Sequence, residues 1–310
     1  MTRAVAHPSG GVQTAAAPLR LDSTVNDVLR HPAFQDFGRL IVPWDDQRGG
    51  PTRLRDIESL LPYHSHIAPG AVVGALNRMI DDAGSGATVF YDVYTPEEKT
   101  SAPSRRSTGL FFLRGKPGAP FALIAPGGGF SYVASLHEGF PYAVEINRAG
   151  YNAFVLKYRV GEGGAPATQD MAAALAYVVR NAETLGVSRR GYSLWGSSAG
   201  ARMAAAIGSN GTARSGVPAP AAIVMAYTGH TDIGPADPPT FAVVGERDTI
   251  ASPATMERRV AALRRQGTEV QFRKYPGVEH GFGLGAGTSA AGWAEDAIGF
   301  WTRQNERERR

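Results

Sequence analysis

Cysteine is absent from this sequence of 310 residues. Its absence excludes disulfides, thiolate zinc sites, iron–sulfur clusters and a cysteine nucleophile, so any chemistry must use other side chains or the backbone. Long apolar runs are missing too: none reaches the roughly 18 residues that a membrane-spanning helix needs, and no membrane partner is expected. Residues 1–17 lack the continuous apolar segment of a signal peptide, which favours a cytoplasmic location and leaves export open.

Charge is also scarce. Charged residues make up 19% of the chain, and the net charge is +4. Half of this net charge lies in residues 301–310, which contain four arginines and two glutamates. We interpret residues 305–310 as a solvated charged tail and expect no nucleic-acid partner. Hydrophobic residues make up 43%, which is enough for one large core.

Composition divides the chain into segments. Residues 1–20 are predicted to be a disordered leader. Residues 21–86 are rich in turn signals and contain one predicted helix, at 71–82, whose apolar residues share one face. We therefore expect residues 21–86 to form an N-terminal extension that packs on a main domain, which spans residues 87–304.

Short β-rich runs alternate with helical stretches in the main domain. Strands are predicted at 88–94, 109–113, 121–125, 151–158, 191–195, 221–227, 241–244 and 269–275. Helices are predicted at 137–148, 170–185, 199–207 and 252–267. A terminal helix is also predicted, with Trp293, Ala297, Phe300 and Trp301 on one face. This alternation indicates an α/β fold with a mostly parallel central sheet covered by helices on both faces. In such sheets the functional residues lie at the carboxyl ends of the strands.

A candidate nucleophile lies where a predicted strand meets a predicted helix. Residues 196–200 are Gly-Ser-Ser-Ala-Gly and fit the pattern G-x-S-x-G around Ser198. The glycines allow a turn so tight that the serine is strained and its hydroxyl projects above the sheet. The N-terminus of the following helix favours a developing negative charge there. The alternative interpretation is an ordinary glycine-rich turn.

A serine hydroxyl needs a base, and histidine is the natural base near neutral pH. In this type of sheet an acid and then a histidine follow the serine, which leaves His230 and His280 as candidates for the base. His280 is favoured because it lies in a glycine-flanked loop after the last strand. Asp248 lies just beyond the seventh predicted strand and is the expected acid, with Glu246 and Asp232 as rivals.

A glycine-rich segment, Pro-Gly-Gly-Gly-Phe at 126–130, directly follows a buried strand. Consecutive glycines let backbone N–H groups point at an oxyanion, so Gly128 and Gly129 are the expected donors. The third donor is Ala199, the residue after the nucleophile. The segment does not fit the phosphate-binding pattern G-x-G-x-x-G, and G-x-x-x-x-G-K-[ST] does not occur, so nucleotide binding is not expected.

Four side chains near these loops are candidates for substrate binding, namely Phe130, Tyr132, Tyr227 and His230, and each is equally compatible with core packing. Residues 64–66, His-Ser-His, could present two imidazoles on one side of an extended strand. A metal site needs a further ligand, and none lies near in the sequence. We therefore expect a surface loop at 64–66 and no metal.

The motifs at 126–130 and 196–200, followed by Gly-Glu-Arg-Asp at 245–248 and Glu-His-Gly at 279–281, together resemble the α/β-hydrolase fold. Residues 87–304 look most like its esterases and lipases with a glycine-rich oxyanion loop, in particular bacterial relatives of acetylxylan and feruloyl esterases. The resemblance implies hydrolysis of carboxylic esters through a serine acyl-enzyme, without a cofactor.

Two departures refine this resemblance. Pro126 stands where many relatives have histidine, and Ser197 stands where relatives of hormone-sensitive lipase have an acidic residue. Both differences make the chain more similar to carbohydrate deacetylases. The expected activity is hydrolysis of short-chain acyl esters, acetylated carbohydrate among them, by Ser198, His280 and Asp248.

Two other functions stay open at this point. A serine peptidase of the same fold is one, although such enzymes usually carry a large additional domain, for which the 86 N-terminal residues are too few. A non-catalytic binding module on a hydrolase scaffold is the other, and it would be expected to lack a member of the triad. The expected partner is a small-molecule or carbohydrate ester, and a homodimer is left open.

Overall fold

The computed structural model describes residues 17–212, 216–235 and 237–308. Its centre is an eight-stranded sheet with the order β1-β2-β4-β3-β5-β6-β7-β8. The strands are β1 (Phe90–Tyr91), β2 (Gly109–Leu113), β3 (Phe121–Ala125), β4 (Asn152–Lys157), β5 (Ser193–Ser197), β6 (Ala222–Ala226), β7 (Thr240–Gly245) and β8 (Val270–Tyr275). Strand β2 runs antiparallel to both of its neighbours, and all other pairs are parallel. The predicted mostly parallel sheet is therefore confirmed.

Helices cover both faces of the sheet, as predicted. They are α1 (Val25–Leu29), α2 (Gly38–Ile41), α3 (Pro69–Gly84), α4 (Pro96–Ser101), α5 (Phe140–Arg148), α6 (Gly164–Arg180), α7 (Ala182–Leu185), α8 (Ala199–Asn210), α9 (Pro253–Arg265) and α10 (Trp293–Glu308). Helices α3, α5 and α10 pack together on one face, while α6 and α8 pack together on the other. Helix α9 lies on the same side as α8, because Arg259 reaches Ser209 at the end of α8. Strands β2 to β7 are buried along their whole length, as strands covered on both faces should be.

Some predicted boundaries are wrong, one for a local reason and one because of packing. The strand predicted at 88–94 shrinks to β1, because Thr95 forms a capping box with Glu98 that starts α4. The helix expected to end near Gly208 continues to Asn210. A Cβ at Gly208 would lie 2.7 Å from the Ile223 side chain, so this glycine permits close packing of helix on sheet rather than ending the helix.

The N-terminal extension shares one hydrophobic core with the sheet, to which Val28, Ile57 and Leu76 contribute. It is also held by Lys157 of β4, a fully buried amine that donates to the carbonyl of Pro43 and pairs with Asp45 at 3.0 Å.

In the described residues, both ends of the chain are more buried than expected. Leu19 is buried in the core, so packing starts before residue 21, whereas residues 1–16 of the predicted leader lie outside the described residues. Helix α10 runs on to Glu308, and Asn305 is buried, so the predicted tail at 305–310 begins inside a packed helix. In the described part of the chain, no helix is long and apolar enough to cross a membrane.

Candidate active site

Ser198 lies in a strained turn between β5 and α8. Its φ of 50° and ψ of −115° are a conformation that residues other than glycine rarely adopt. The flanking glycines are needed for space: a Cβ at Gly196 would lie 2.3 Å from the backbone of Gly200, and a Cβ at Gly200 would lie 1.8 Å from the carbonyl oxygen of Ala125. The turn holds the Ser198 hydroxyl at the carboxyl edge of the sheet, as the motif predicts.

His280 and Asp248 lie in line with this hydroxyl. The distance from His280 Nε2 to Ser198 Oγ is 3.0 Å, and His280 Nδ1 lies 2.7 Å from Asp248 Oδ2. An ionised carboxylate can only accept, so Nδ1 carries the proton and Nε2 accepts from the serine hydroxyl. The other Asp248 oxygen accepts from the N–H groups of Ile250 and Ala251, at 2.9 and 2.7 Å. These bonds fix the carboxylate that orients the imidazole.

Among the described residues, none of the rival candidates forms a hydrogen bond with Ser198 or His280. Glu246 is exposed and accepts from the N–H of Gly277. Asp232 is exposed at the edge of the cleft. His230 makes no contact with Ser198 that would let it act as the base in this conformation, although it lines the same cleft. The structure therefore brings Ser198, His280 and Asp248 together and leaves the rivals apart.

The glycine-rich loop after β3 presents free donors. The N–H groups of Gly128, Gly129 and Ala199 have no acceptor within the described part of the chain. The φ angles of Gly128 and Gly129 are +126° and +62°, and a Cβ at Gly128 would lie 2.2 Å from the carbonyl oxygen of Tyr132. Glycine is therefore required for this path of the backbone. N–H groups left free at the nucleophile turn are suited to an oxyanion.

A cleft of about 340 Å³ opens at Ser198. Of the four predicted substrate-binding residues, Phe130 and His230 line it. Its other lining residues include Arg202, one turn into α8, whose exposed guanidinium was not singled out by the sequence. Burial, together with the charge of Arg259, lowers the pKa of His230, so its imidazole is neutral at pH 7.

The prediction that Tyr132 and Tyr227 line this cleft is wrong. Both side chains are fully buried, and neither reaches the cavity. Their hydroxyls are bound inside the protein, Tyr132 to His64 and Tyr227 to Glu138. Sequence reasoning placed these tyrosines near the correct loops, but it could not tell which side of each loop faces solvent.

The expectation of a surface loop at 64–66 is also wrong for His64. Its imidazole is buried, with Nε2 3.1 Å from an oxygen of the fully buried Glu138. Sequence reasoning missed Glu138 altogether, because one carboxylate before an apolar helix carries no signal of burial. In the described residues, no group of three or more histidine, aspartate or glutamate side chains could hold a metal ion.

A larger cavity, of about 390 Å³, lies at the opposite edge of the sheet, beside Pro120 and Gly191, which precede β3 and β5. The described residues that line it include no histidine and no carboxylate, so it offers no general base. The smaller cleft at Ser198 is therefore the candidate active site, because it combines a nucleophile, a base and free N–H donors.

A family model described as BD-FAE matches residues 115–215, which hold the glycine-rich loop and the nucleophile turn. No curated protein matches the chain significantly.

Among solved structures, the acetyl ester-xyloside bifunctional hydrolase from Caldicellulosiruptor lactoaceticus is 21% identical, with a TM-score of 0.56 over 63% of this chain and 88% of that one. MGS-M1, an alpha/beta hydrolase from a deep-sea metagenome library, is 22% identical, with a TM-score of 0.57 over 64% and 92%. The carboxylesterase Cest-2923 from Lactobacillus plantarum is 21% identical, with a TM-score of 0.55 over 64% and 92%. The sheet order and these likenesses show that the chain has the α/β-hydrolase fold.

Proposed function

We propose that this protein is a serine carboxylesterase that hydrolyses short-chain acyl esters. One observation carries the proposal: Ser198 Oγ lies 3.0 Å from His280 Nε2, at the floor of an open cleft and beside unpaired backbone donors. A nucleophile, a base and an oxyanion site are the groups that acyl transfer requires.

In the first half of the proposed reaction, Ser198 Oγ attacks the ester carbonyl carbon and its proton passes to His280 Nε2. The carbonyl π electrons move to the oxygen, which the N–H groups of Gly128, Gly129 and Ala199 stabilise. The tetrahedral intermediate then collapses, the bond to the alcohol oxygen breaks, and His280 returns the proton to the departing alcohol. An acyl-serine remains.

In the second half, water replaces the alcohol. His280 removes a proton from the water as its oxygen attacks the acyl carbon, and the same N–H groups hold the second oxyanion. Collapse breaks the bond to Ser198 Oγ, which takes the proton back from His280. The carboxylic acid leaves, and the starting enzyme is restored. Throughout, Asp248 keeps the imidazole in one tautomer and stabilises its charged form.

The size and lining of the cleft support a small, polar substrate. At about 340 Å³ it lies at the lower end of ordinary ligand pockets. The cleft is lined by polar side chains, namely the Thr228 hydroxyl, the His230 imidazole, the Asp232 carboxylate and the Arg202 guanidinium. The structurally similar acetyl ester-xyloside hydrolase is named for an acetyl ester. We therefore extend the proposal to acetylated carbohydrates, and a small ester is the only partner that it requires.

The test compares wild type with Ser198→Ala on a panel of 4-nitrophenyl esters from acetyl to octanoyl, acetylated xylo-oligosaccharides and aminoacyl anilides. We expect acetyl esters to be the best substrates and the variant to lose about 1,000-fold or more in kcat. Ser197→Ala is the matched control, because the neighbouring hydroxyl is buried and faces away.

Labelling with a fluorophosphonate provides a second measurement. We expect one label per chain, on Ser198, and none in the Ser198→Ala variant. Preferential cleavage of anilides would instead establish a peptidase. A folded wild type that neither cleaves any substrate nor accepts the label would contradict catalysis and leave a binding module.

A further inference from the structure

Glu138 is a carboxylate buried directly beneath the candidate active site. It is fully enclosed, on a π-helical turn (Ser135–Gly139) that precedes α5. One oxygen accepts from the N–H of Gly127 at 2.6 Å, and the other accepts from the Tyr227 hydroxyl at 2.7 Å. His64 Nε2 lies 3.1 Å from the second oxygen, at ion-pair distance. The proposed reaction uses none of these groups, so the carboxylate needs another explanation.

The charge state of Glu138 suits an acceptor. Burial alone raises the pKa of a carboxyl, but the neighbouring His64 imidazole and the bound hydroxyl lower the pKa of Glu138 to about 2. Burial raises the pKa of Tyr227 well above its usual value, so that hydroxyl keeps its proton and donates it. At neutral pH, Glu138 is therefore a pure acceptor surrounded by donors.

Through Gly127, the carboxylate holds the oxyanion loop, residues 126–130. A Cβ at Gly127 would lie 2.8 Å from Glu138 and 3.0 Å from Ser198 Cβ, so this glycine is wedged between the carboxylate and the nucleophile turn. The next two residues, Gly128 and Gly129, carry free N–H groups. Fixing Gly127 therefore fixes the start of the loop from which the oxyanion donors project.

Through Tyr227, the same carboxylate holds the histidine loop, residues 278–285. The Tyr227 hydroxyl that donates to Glu138 accepts from the N–H of Gly283 at 3.2 Å. The Tyr227 ring packs edge-on against the His280 ring, with centroids 5.1 Å apart. The backbone of Tyr227 has a φ of +39°, which is rare and costly for a bulky residue. Such strain is tolerated where the surrounding contacts require this one position.

The N-terminal extension completes the arrangement. Its Ser65 donates from both N–H and Oγ to the histidine loop, to the carbonyls of Gly281 at 3.0 Å and His280 at 2.8 Å. His64, beside it, is bonded through Nδ1 to the Tyr132 hydroxyl at 2.8 Å and presents Nε2 to Glu138. Three segments that are distant in the chain therefore converge on one carboxylate.

We propose that Glu138 is a positioning residue of the esterase reaction, which holds the oxyanion loop and the histidine loop at their working separation through Gly127 and Tyr227. This inference rests on the proposed function. A site with fixed donors and a fixed base needs no rearrangement in the transition state, and a displacement of about 1 Å can lower the rate about 100-fold.

The main variant is Glu138→Gln, which has the same size but turns an N–H group toward one of the existing donors. We expect its kcat for 4-nitrophenyl acetate to fall about 10- to 100-fold, while KM changes less than about threefold, because displaced donors and a displaced base weaken binding of the transition state more than binding of the substrate. Tyr227→Phe removes one hydroxyl without an unpaired charge, and we expect a fall in kcat of about 10-fold. This second variant keeps the test valid where Glu138→Gln folds poorly.

Asp170→Asn is the matched control. Asp170 is equally buried, and it accepts from the Tyr94 hydroxyl at 2.6 Å and the Arg159 N–H at 2.8 Å. In the described part of the chain, neither partner bonds to the oxyanion or histidine loop. We expect the control to lose stability but to keep kcat within about twofold. Equal kcat values for Glu138→Gln, Tyr227→Phe and Asp170→Asn would overturn the inference.

Amide hydrogen exchange separates this inference from the proposed function. We expect faster exchange in peptides that cover 126–130 and 278–285 in Glu138→Gln, and unchanged exchange there in the control. A wild type without esterase activity would contradict the proposed function, yet the exchange result would still decide whether Glu138 holds the two loops. Unchanged exchange in both loops of Glu138→Gln would refute the inference even in an active enzyme.

Discussion

Two arrays of hydroxyl, imidazole and carboxylate lie side by side in this protein. The cleft array is Ser198, His280 and Asp248, with separations of 3.0 and 2.7 Å. The buried array is Tyr132, His64 and Glu138, with separations of 2.8 and 3.1 Å. Similar groups at similar distances therefore occur twice, and distance alone does not distinguish the two arrays.

Access distinguishes them. Ser198 is partly exposed at the floor of the cleft, whereas Tyr132 is fully buried. The cleft array also faces free N–H donors, whereas Tyr132 and Glu138 of the buried array accept from the backbone N–H groups of Tyr63 and Gly127. We therefore propose that a triad-like geometry can react only where a substrate can reach it, and that the buried array holds loops in place.

The largest effect should come from Asp248→Asn. The asparagine oxygen will remain on the N–H groups of Ile250 and Ala251, so its NH2 group will face His280 Nδ1. That contact selects the wrong tautomer, with the proton on Nε2, and Ser198 then has no base. We expect kcat on 4-nitrophenyl acetate to fall by about 1,000- to 10,000-fold at unchanged KM. Steady-state kinetics measures the change in kcat, and Glu246→Gln is the control. A loss below 10-fold in Asp248→Asn would mean that another residue is the acid of the triad.

A smaller effect is expected for Gly128→Ala. The new methyl group would lie 2.2 Å from the carbonyl of Tyr132, and the φ of +126° disfavours any side chain. The loop must shift and carry an oxyanion donor with it, which should lower kcat about 100-fold. Gly118→Ala is the matched control, because Gly118 also has a positive φ but has no atom near its missing Cβ. If both variants retain wild-type kcat, the free N–H groups of the loop do not take part in catalysis.

The buried array should respond differently. In His64→Gln, Glu138 loses the imidazole whose Nε2 lies 3.1 Å away, and we expect the free energy of unfolding to fall by about 3 kcal/mol. The fall in kcat should be about 10-fold, smaller than for any change in the cleft array. His66→Gln, an exposed neighbour, should change neither quantity. Urea unfolding and ester kinetics on the same samples test this, and a 1,000-fold loss of activity without destabilisation would remove the distinction between the arrays.

The smallest effect concerns acid stability. His137 is fully buried, and burial together with the nearby His64 lowers its pKa to about 4. Between pH 6.5 and 4, His137 is therefore protonated in the unfolded chain but neutral in the folded protein. The free energy of unfolding falls as the pH falls, because proton binding favours the unfolded chain. For this one group the loss between pH 7.5 and pH 5 should be about 2 kcal/mol. His137→Gln should lose about that much less over the same range, and equal losses in both proteins would show that His137 titrates normally.

The sequence predicted the parts of the site that depend on local rules. The turn at 196–200 needs glycine at both ends for steric reasons. The chain order of serine, acid and histidine, together with positions just after predicted strands, favours Asp248 and His280. The structure places the two side chains in line with Ser198. Helix α3 was also predictable, because Val72, Leu76, Met79 and Ile80 repeat with a helical period, and all four are buried.

Other features depend on which surfaces meet. Tyr132 and Tyr227 follow the correct loops but face the interior, and the sequence contains no information on that choice. Gly208 has the pattern of a helix end, yet its role is to let α8 approach Ile223. The two ends of the chain differ for the same reason, since Leu19 and Asn305 are buried by contacts with distant residues.

The sequence by itself determined the alternation of strands and helices and the residues proposed for acyl transfer, because periodicity and motif spacing act over a few turns of chain. The tertiary structure alone decided that His64, Glu138 and Tyr227 meet beneath the cleft. In the chain, His64 lies 74 positions from Glu138, and Tyr227 lies 89 positions from it. These residues become neighbours only when the sheet, the helices and the N-terminal extension pack together. The burial that raises the pKa of Tyr227 and the His64 contact that lowers the pKa of Glu138 exist only after that packing.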